Sequence, residues 1–85
     1  MAKFRKKPVV IDAIQCLREQ NISSVQDFVT DGSLIYNADD NEYYVKTIEG
    51  NMRVTKGDWI IRGVHGEYYP CKPEIFEKTY ELVGE

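Results

Sequence analysis

Residues 51–80, NMRVTKGDWIIRGVHGEYYPCKPEIFEKTY, limit the fold more tightly than any other part of the chain. They hold its only Trp and His and two of its three prolines. Turn-forming residues recur at intervals of a few positions, which leaves room for short strands and a short helix only. Gly50-Asn51 separates two strands, because Gly tolerates the positive φ of a tight turn. Met52 and Val54 alternate with Arg53 and Thr55, the period of a half-buried strand. Lys56-Gly57-Asp58 is a turn, and Trp59-Ile60-Ile61-Arg62 is β-branched, aromatic and extended. Gly63-Val64-His65-Gly66 reads as a hairpin loop with Gly66 left-handed, Glu67-Tyr68-Tyr69 as the return strand, and Pro70 as its end. Lys72-Pro73-Glu74 starts a helix, with Pro in the first helical position and Glu74 and Glu77 where the helix dipole favours negative charge. Ile75, Phe76 and Thr79 give that helix its inner face.

The preceding chain fits the same scale. Val9 to Gln15 reads as a strand, with Pro8 at its start placing it at a sheet edge or strand beginning. Val9, Ile11 and Ala13 form one face, Val10 and Ile14 the other, so the strand is expected to be covered on both sides, by a helix and by a partner subunit. Residues 16–21 read as a polar connector. Asn21 or Ser23 caps a helix in which Ser23 and Gln26 have capping-box spacing and Val25, Phe28 and Val29 form one stripe. Asp31-Gly32 stops it. Leu34–Tyr36 and Tyr43–Ile48 are strands around the turn Asn37–Asn41. The expected fold is α+β: a small curved, mostly antiparallel sheet or open barrel of about five or six strands with two short helices.

Eighty-five residues make one domain, 1–85, with residues 1–8 as a basic arm leading into the first strand. A chain this short buries only about 60–65% of its unfolded surface, so it is expected to form a homo-oligomer. No apolar run approaches the roughly 20 residues needed to span a bilayer. Net charge is −3, yet Lys3, Arg5, Lys6 and Lys7 are unopposed in the first ten residues. With a pI of about 5.1, the body lacks the broad basic footprint of a duplex-binding protein.

The run GDWIIRGVHGEYYPCKPEIFEKTYE, the upstream KTIEGNMRV and the N-terminal KFRKKPVVIDAIQ resemble a family of small, mainly uncharacterised phage and prophage proteins. The likeness covers both ends of the chain, and residues 17–42 carry none of it. It implies a phage origin and a setting in the host bacterial cytoplasm. It carries over no catalytic residue.

No catalytic or metal-binding motif stands out, and no cofactor is expected. Asp39-Asp40-Asn41 starts like a calcium loop but lacks the Gly and the distal Glu, and reads as a solvated turn. Cys71 and His65 could form a nucleophile–base pair, without a third orienting group. Cys16 and Cys71 lack metal-ligand spacing and are expected to be reduced. Asp58 reads as a turn-capping carboxylate.

The aromatic load is the more informative feature. Adjacent Tyr43 and Tyr44 cannot share a face of one strand, nor can Tyr68 and Tyr69. Arg53, Trp59, Arg62, His65, Tyr68, Tyr69 and Lys72 are therefore the expected ligand-binding residues, since aromatic faces stack on bases and Arg or Lys pairs with phosphate. The function expected is non-enzymatic: capture of a small anionic or nucleotide-derived molecule, such as a host immune signal. The alternatives are a module that docks on a host or phage protein, a small hydrolase of a signal nucleotide, and single-strand nucleic-acid binding, which the net charge disfavours. The same aromatics would equally suit a subunit interface.

Overall fold

The computed structural model describes residues 1–4 and 8–83; Arg5, Lys6 and Lys7 of the basic arm lie outside the described residues. Along the chain come β1 (Asp12–Gln15), a 3-10 turn (Arg18–Gln20), α1 (Ile22–Phe28), β2 (Leu34–Asn37), β3 (Glu42–Thr47) and β4 (Gly50–Val54). Then follow β5 (Trp59–Arg62), β6 (Tyr68–Cys71) and α2 (Pro73–Thr79). The class is α+β as expected. The six strands of the described residues form two three-stranded antiparallel sheets, β1-β5-β6 and β2-β3-β4, not closed into a barrel.

Residues directly opposite one another in an antiparallel ladder share a face. Asp12, Arg62 and Tyr68 lie on one side of the first sheet with Ile14, Ile60 and Pro70. Ala13, Ile61 and Tyr69 lie on the other with Gln15, Trp59 and Cys71. The first side faces the core, where Ile60 and Tyr68 meet Val25 and Val29 of the α1 region and Val45 and Val54 of the second sheet. The second side is covered by α2, whose Phe76 stacks on Trp59 with ring centroids 4.2 Å apart and planes 6° from parallel. The run Trp59-Ile60-Ile61 is continuous rather than alternating because β5 is covered on both faces. Ile60 and Ile61 are both fully buried, each worth about 1.5–3 kcal/mol of transfer free energy.

Several local expectations are corrected. β1 begins at Asp12, and Val9 to Ile11 approach it without regular secondary structure. β6 runs on through Pro70, opposite Ile60, to Cys71. Proline is tolerated there because β6 is an edge strand, so the missing N–H faces away from the ladder. Asn21 occupies the position before α1, but its side chain makes no cap. It accepts a hydrogen bond from the Leu17 N–H (2.8 Å) and donates to the Gln15 carbonyl (2.7 Å), closing the 3-10 turn onto β1. On α2 only Phe76 packs inward; Ile75 and Thr79 are exposed. Ile75 lies about 100° round the helix from Phe76, so with Phe76 set on Trp59, Ile75 and, four positions on, Thr79 turn to solvent.

One buried carboxylate ties these parts together. Asp58 is 2% exposed, the one buried charged residue among those described. Its Oδ2 accepts from the Thr55 N–H (2.9 Å) and Oγ1 (3.1 Å), and Lys72 Nζ approaches to 3.2 Å. Its own N–H donates to the Thr55 carbonyl (3.0 Å), and its carbonyl receives the Cys16 N–H (2.8 Å). Gly57, at φ +97°, makes the reversal and donates to the Cys16 carbonyl (2.7 Å). The β4–β5 turn and the start of α2 therefore converge on one side chain, and the end of β1 on the backbone beside it. Asp58→Ala, which strands the Thr55 donors in a buried turn, is expected to lower stability by about 1–3 kcal/mol in urea unfolding. Asp58→Asn, which keeps an acceptor, is expected to lose less.

Candidate functional site

The seven residues expected to bind ligand are dispersed. Tyr68 belongs to the core: its hydroxyl donates to the Phe28 carbonyl (3.0 Å), lies 3.2 Å from Thr30 Oγ1, and its ring meets Phe28 edge-on at 5.7 Å. Hydrogen bonding from Thr30 lowers its phenol below the ordinary value against the opposing effect of burial, with Arg62 adding to the shift. Arg62 is committed to Asp12 across the β1–β5 ladder (2.6 Å), and its guanidinium sits 5.3 Å above the Phe28 ring. Lys72 is committed to Asp58 and Thr55. His65 is exposed in the β5–β6 loop, where its backbone N–H donates to Glu67 Oε1 (3.0 Å). Arg53 lies in the other sheet, opposite Tyr44. Trp59 and Tyr69 share the face covered by α2.

The pairs raised for chemistry are likewise separated or otherwise engaged. Cys71 closes β6, whereas His65 lies in the loop before that strand, so the length of β6 separates them. Burial raises the Cys71 thiol, with the Asp58 and Glu74 carboxylates adding to the shift, the reverse of what activates a thiolate nucleophile. Both cysteines are free thiols. The Asp39–Asn41 turn satisfies itself: Asn37 Oδ1 accepts from the Asp39 N–H and Asp40 Oδ1 from the Glu42 N–H. Arg18 then bridges it to the 3-10 turn, donating to Glu42 Oε1 (3.0 Å) and to the Asn41 carbonyl (2.9 Å). No group of His, Cys, Asp and Glu among the described residues is arranged to hold a metal ion. No helix of the described residues is long and apolar enough to cross a membrane.

Two surfaces remain. The larger is a groove of about 660 Å³ on the α2 side of the first sheet. Val9 to Ala13 form one wall, Trp59, Phe76 and Tyr80 the other, and Leu82 and Val83 line it where the chain leaves α2. The aromatic wall is continuous, since Phe76 stacks on Trp59 and lies 5.1 Å from Tyr80. Asp12, Glu77 and Glu81 make its border acidic. The second is a shallow hollow of about 450 Å³ on the second sheet, bordered by Ile35, Tyr36, Tyr44 and Asn51. Tyr44 shares the outer face there with Lys46 and Arg53. A hydrogen bond to Asp40 raises the Tyr44 phenol, keeping it protonated.

Of the groove residues, only Trp59 was selected from sequence. The two-sided apolar pattern of Val9–Ile14 was the available signal for its first wall, whereas nothing in the spacing of Phe76 and Tyr80 placed them beside Trp59. No protein-family model, curated protein or solved structure matches the chain.

Tyr69, beside this wall, gives a pH signature. Burial first, then a hydrogen bond to Tyr80 and the nearby Glu67 charge, push its phenol up to about 12 from 10.0. The unfolded chain releases this proton first, so the associated stability is full below pH 10.0 and is lost as pH rises through about 12. Tyr69→Phe is expected to flatten the alkaline fall of the urea midpoint between those values. Cys71 is expected to react with iodoacetamide more slowly than free cysteine at neutral pH, and Cys16, which is fully buried, only after unfolding.

Proposed function

We propose that this chain is a non-enzymatic binding protein that captures a small, flat, largely apolar molecule in the groove beside α2. The observation that carries this reading is the aromatic wall of Trp59, Phe76 and Tyr80 facing the apolar Val9–Ala13 wall across a space of about 660 Å³. That volume lies within the usual range of small-molecule sites, and such sites are lined mainly by apolar and aromatic groups with few polar ones. The acidic border favours neutral or cationic ligands over phosphates. Capture is stoichiometric, with no bond made or broken. The resemblance to phage proteins supplies the proposed setting, the cytoplasm of an infected bacterium.

A second reading keeps the nucleotide-derived, anionic ligand but moves it to the outer face of the second sheet. Arg53 and Lys46 there have no ion-pair partner among the described residues, and they flank the Tyr44 ring. Arg62 and Lys72, engaged with Asp12 and Asp58, are less suited to phosphate.

The two readings separate in one titration series, following Trp59 fluorescence and amide chemical shifts with tryptamine, indole and AMP. Groove capture is expected to give saturable binding of tryptamine and indole that shifts Val9–Ala13 and α2 amides and weakens at least tenfold in Phe76→Ala. Saturable AMP binding lost in Arg53→Ala, without response at Trp59, would replace the first reading by the second. No saturable binding of any of the three at millimolar concentration would sink both.

A further inference from the structure

The first sheet has two edges of different character. At β6 the edge contains Pro70, which removes an outward-facing donor from the open side. The β1 edge between Val9 and Ala13 has neither Pro nor Lys, and its one charge, Asp12, is already paired with Arg62 at 2.6 Å. No strand of the described residues pairs with that edge.

The direction of the β1 backbone groups follows from one hydrogen bond. The Gln15 carbonyl is taken by Asn21 Nδ2 (2.7 Å) rather than by β5, so it points outward. In an antiparallel ladder, alternate residues direct both backbone groups to the same side. Ala13 therefore points its N–H and C=O outward, and an extended continuation gives Ile11 and Val9 the same orientation. Pro8 falls on the opposite phase, where its missing N–H does not interrupt such a row.

The surface area of the chain points the same way. Its accessible surface is 6676 Å² for 9.9 kDa, whereas a compact monomer of that mass exposes roughly 5,200 Å². Its radius of gyration is 14.1 Å, against about 12 Å for a compact chain of this length. The excess of roughly 1,500 Å² exceeds the ~800 Å² that each partner buries in a standard interface. Part of it is apolar and adjoins this edge: Val10 is 75% exposed, Leu82 95%, and Val83 is exposed as well.

We propose that a second copy of this chain adds its Val9–Ala13 segment antiparallel to the outer edge of β1, joining the two first sheets into one six-stranded sheet across a two-fold axis. The register is set by which groups are free. Centring the axis on Ile11 pairs Ile11 with Ile11 and Ala13 with Val9, all on the outward phase. Centring it on Ala13 would require the Gln15 carbonyl, which Asn21 already holds. The pairing places Ile11 and Val9 of both copies on the α2 side, beside both grooves. It covers Val10 and orders Val9–Ile11, which lack regular secondary structure in the single chain. The dimer does not depend on what the groove binds.

Sedimentation equilibrium of the full chain and of Ile11→Lys and Ala13→Pro tests this, with circular dichroism and urea midpoints reporting folding. A dimer at micromolar concentration is expected, and each variant is expected to weaken it at least tenfold, Ile11→Lys by setting two like charges opposite each other on the axis. Hydrogen exchange of the unaltered protein gives a reading free of mutation: the Ala13 and Ile11 amides are expected to gain protection as concentration rises, while the β6 amides do not. A monomer up to several hundred micromolar would overturn the proposal. So would a dimer indifferent to both variants, or concentration-dependent protection that omits residues 9–13.

Discussion

The carboxylate of Asp58 is the contact on which the first sheet and its cover most depend. It is a charge at 2% exposure, and burial of an unpartnered carboxylate would be prohibitive. Its partners come from three places: Thr55 closes the β4–β5 turn, Lys72 opens α2, and the adjoining backbone engages Cys16 at the end of β1. The two sheets meet in sequence at this turn. Once it is fixed, β5 leaves in the right direction to receive β1 on one side and β6 on the other, and Phe76 is set over Trp59. Lys72 is half exposed, so most of the restraint comes from the Thr55 hydrogen bonds and the backbone, with the ion pair weakened by solvent.

From this follows the unequal treatment of the two faces of β5. The side carrying Ile60 closes against α1 and the second sheet in a well-filled core. The side carrying Trp59 and Ile61 has only a seven-residue helix to cover it. Such a helix is too short to shield a whole sheet face, and the groove lies in the part it leaves open, between α2 and the approach to β1. Binding in that groove, as proposed, would complete the layer that α2 leaves open. The β1 edge is open in a similar way, since no strand of the described residues pairs with it.

Much of the secondary structure was legible because its signals are local. Gly50, Gly57 and Gly66 all adopt positive φ in turns, and Pro73 begins α2. The apolar stripe Val25, Phe28, Val29 correctly marked α1. Boundaries were less legible where local and tertiary signals compete. Asn21 has the chemistry of a cap, but two backbone groups of the preceding turn claim its side chain. Pro70 has the chemistry of a strand end, but at a sheet edge it costs no hydrogen bond.

The candidate site was barely legible, for a related reason. The sequence by itself determined the α+β class, about five or six short strands, both helices and the presence of surplus aromatic and basic side chains, all of which follow from neighbours within a few residues. Only the tertiary structure decided how those side chains are used. Arg62 was drawn to Asp12, fifty positions earlier, Lys72 to Asp58, and Tyr68 to Phe28 and Thr30. Composition advertises a cation or an aromatic ring without saying whether it is free, because its partner is chosen by strand pairing and packing between distant segments. Here that choice engaged Arg62 and Lys72, left Arg53 on another sheet, and built the groove beside α2 largely from apolar residues at the two ends of the chain.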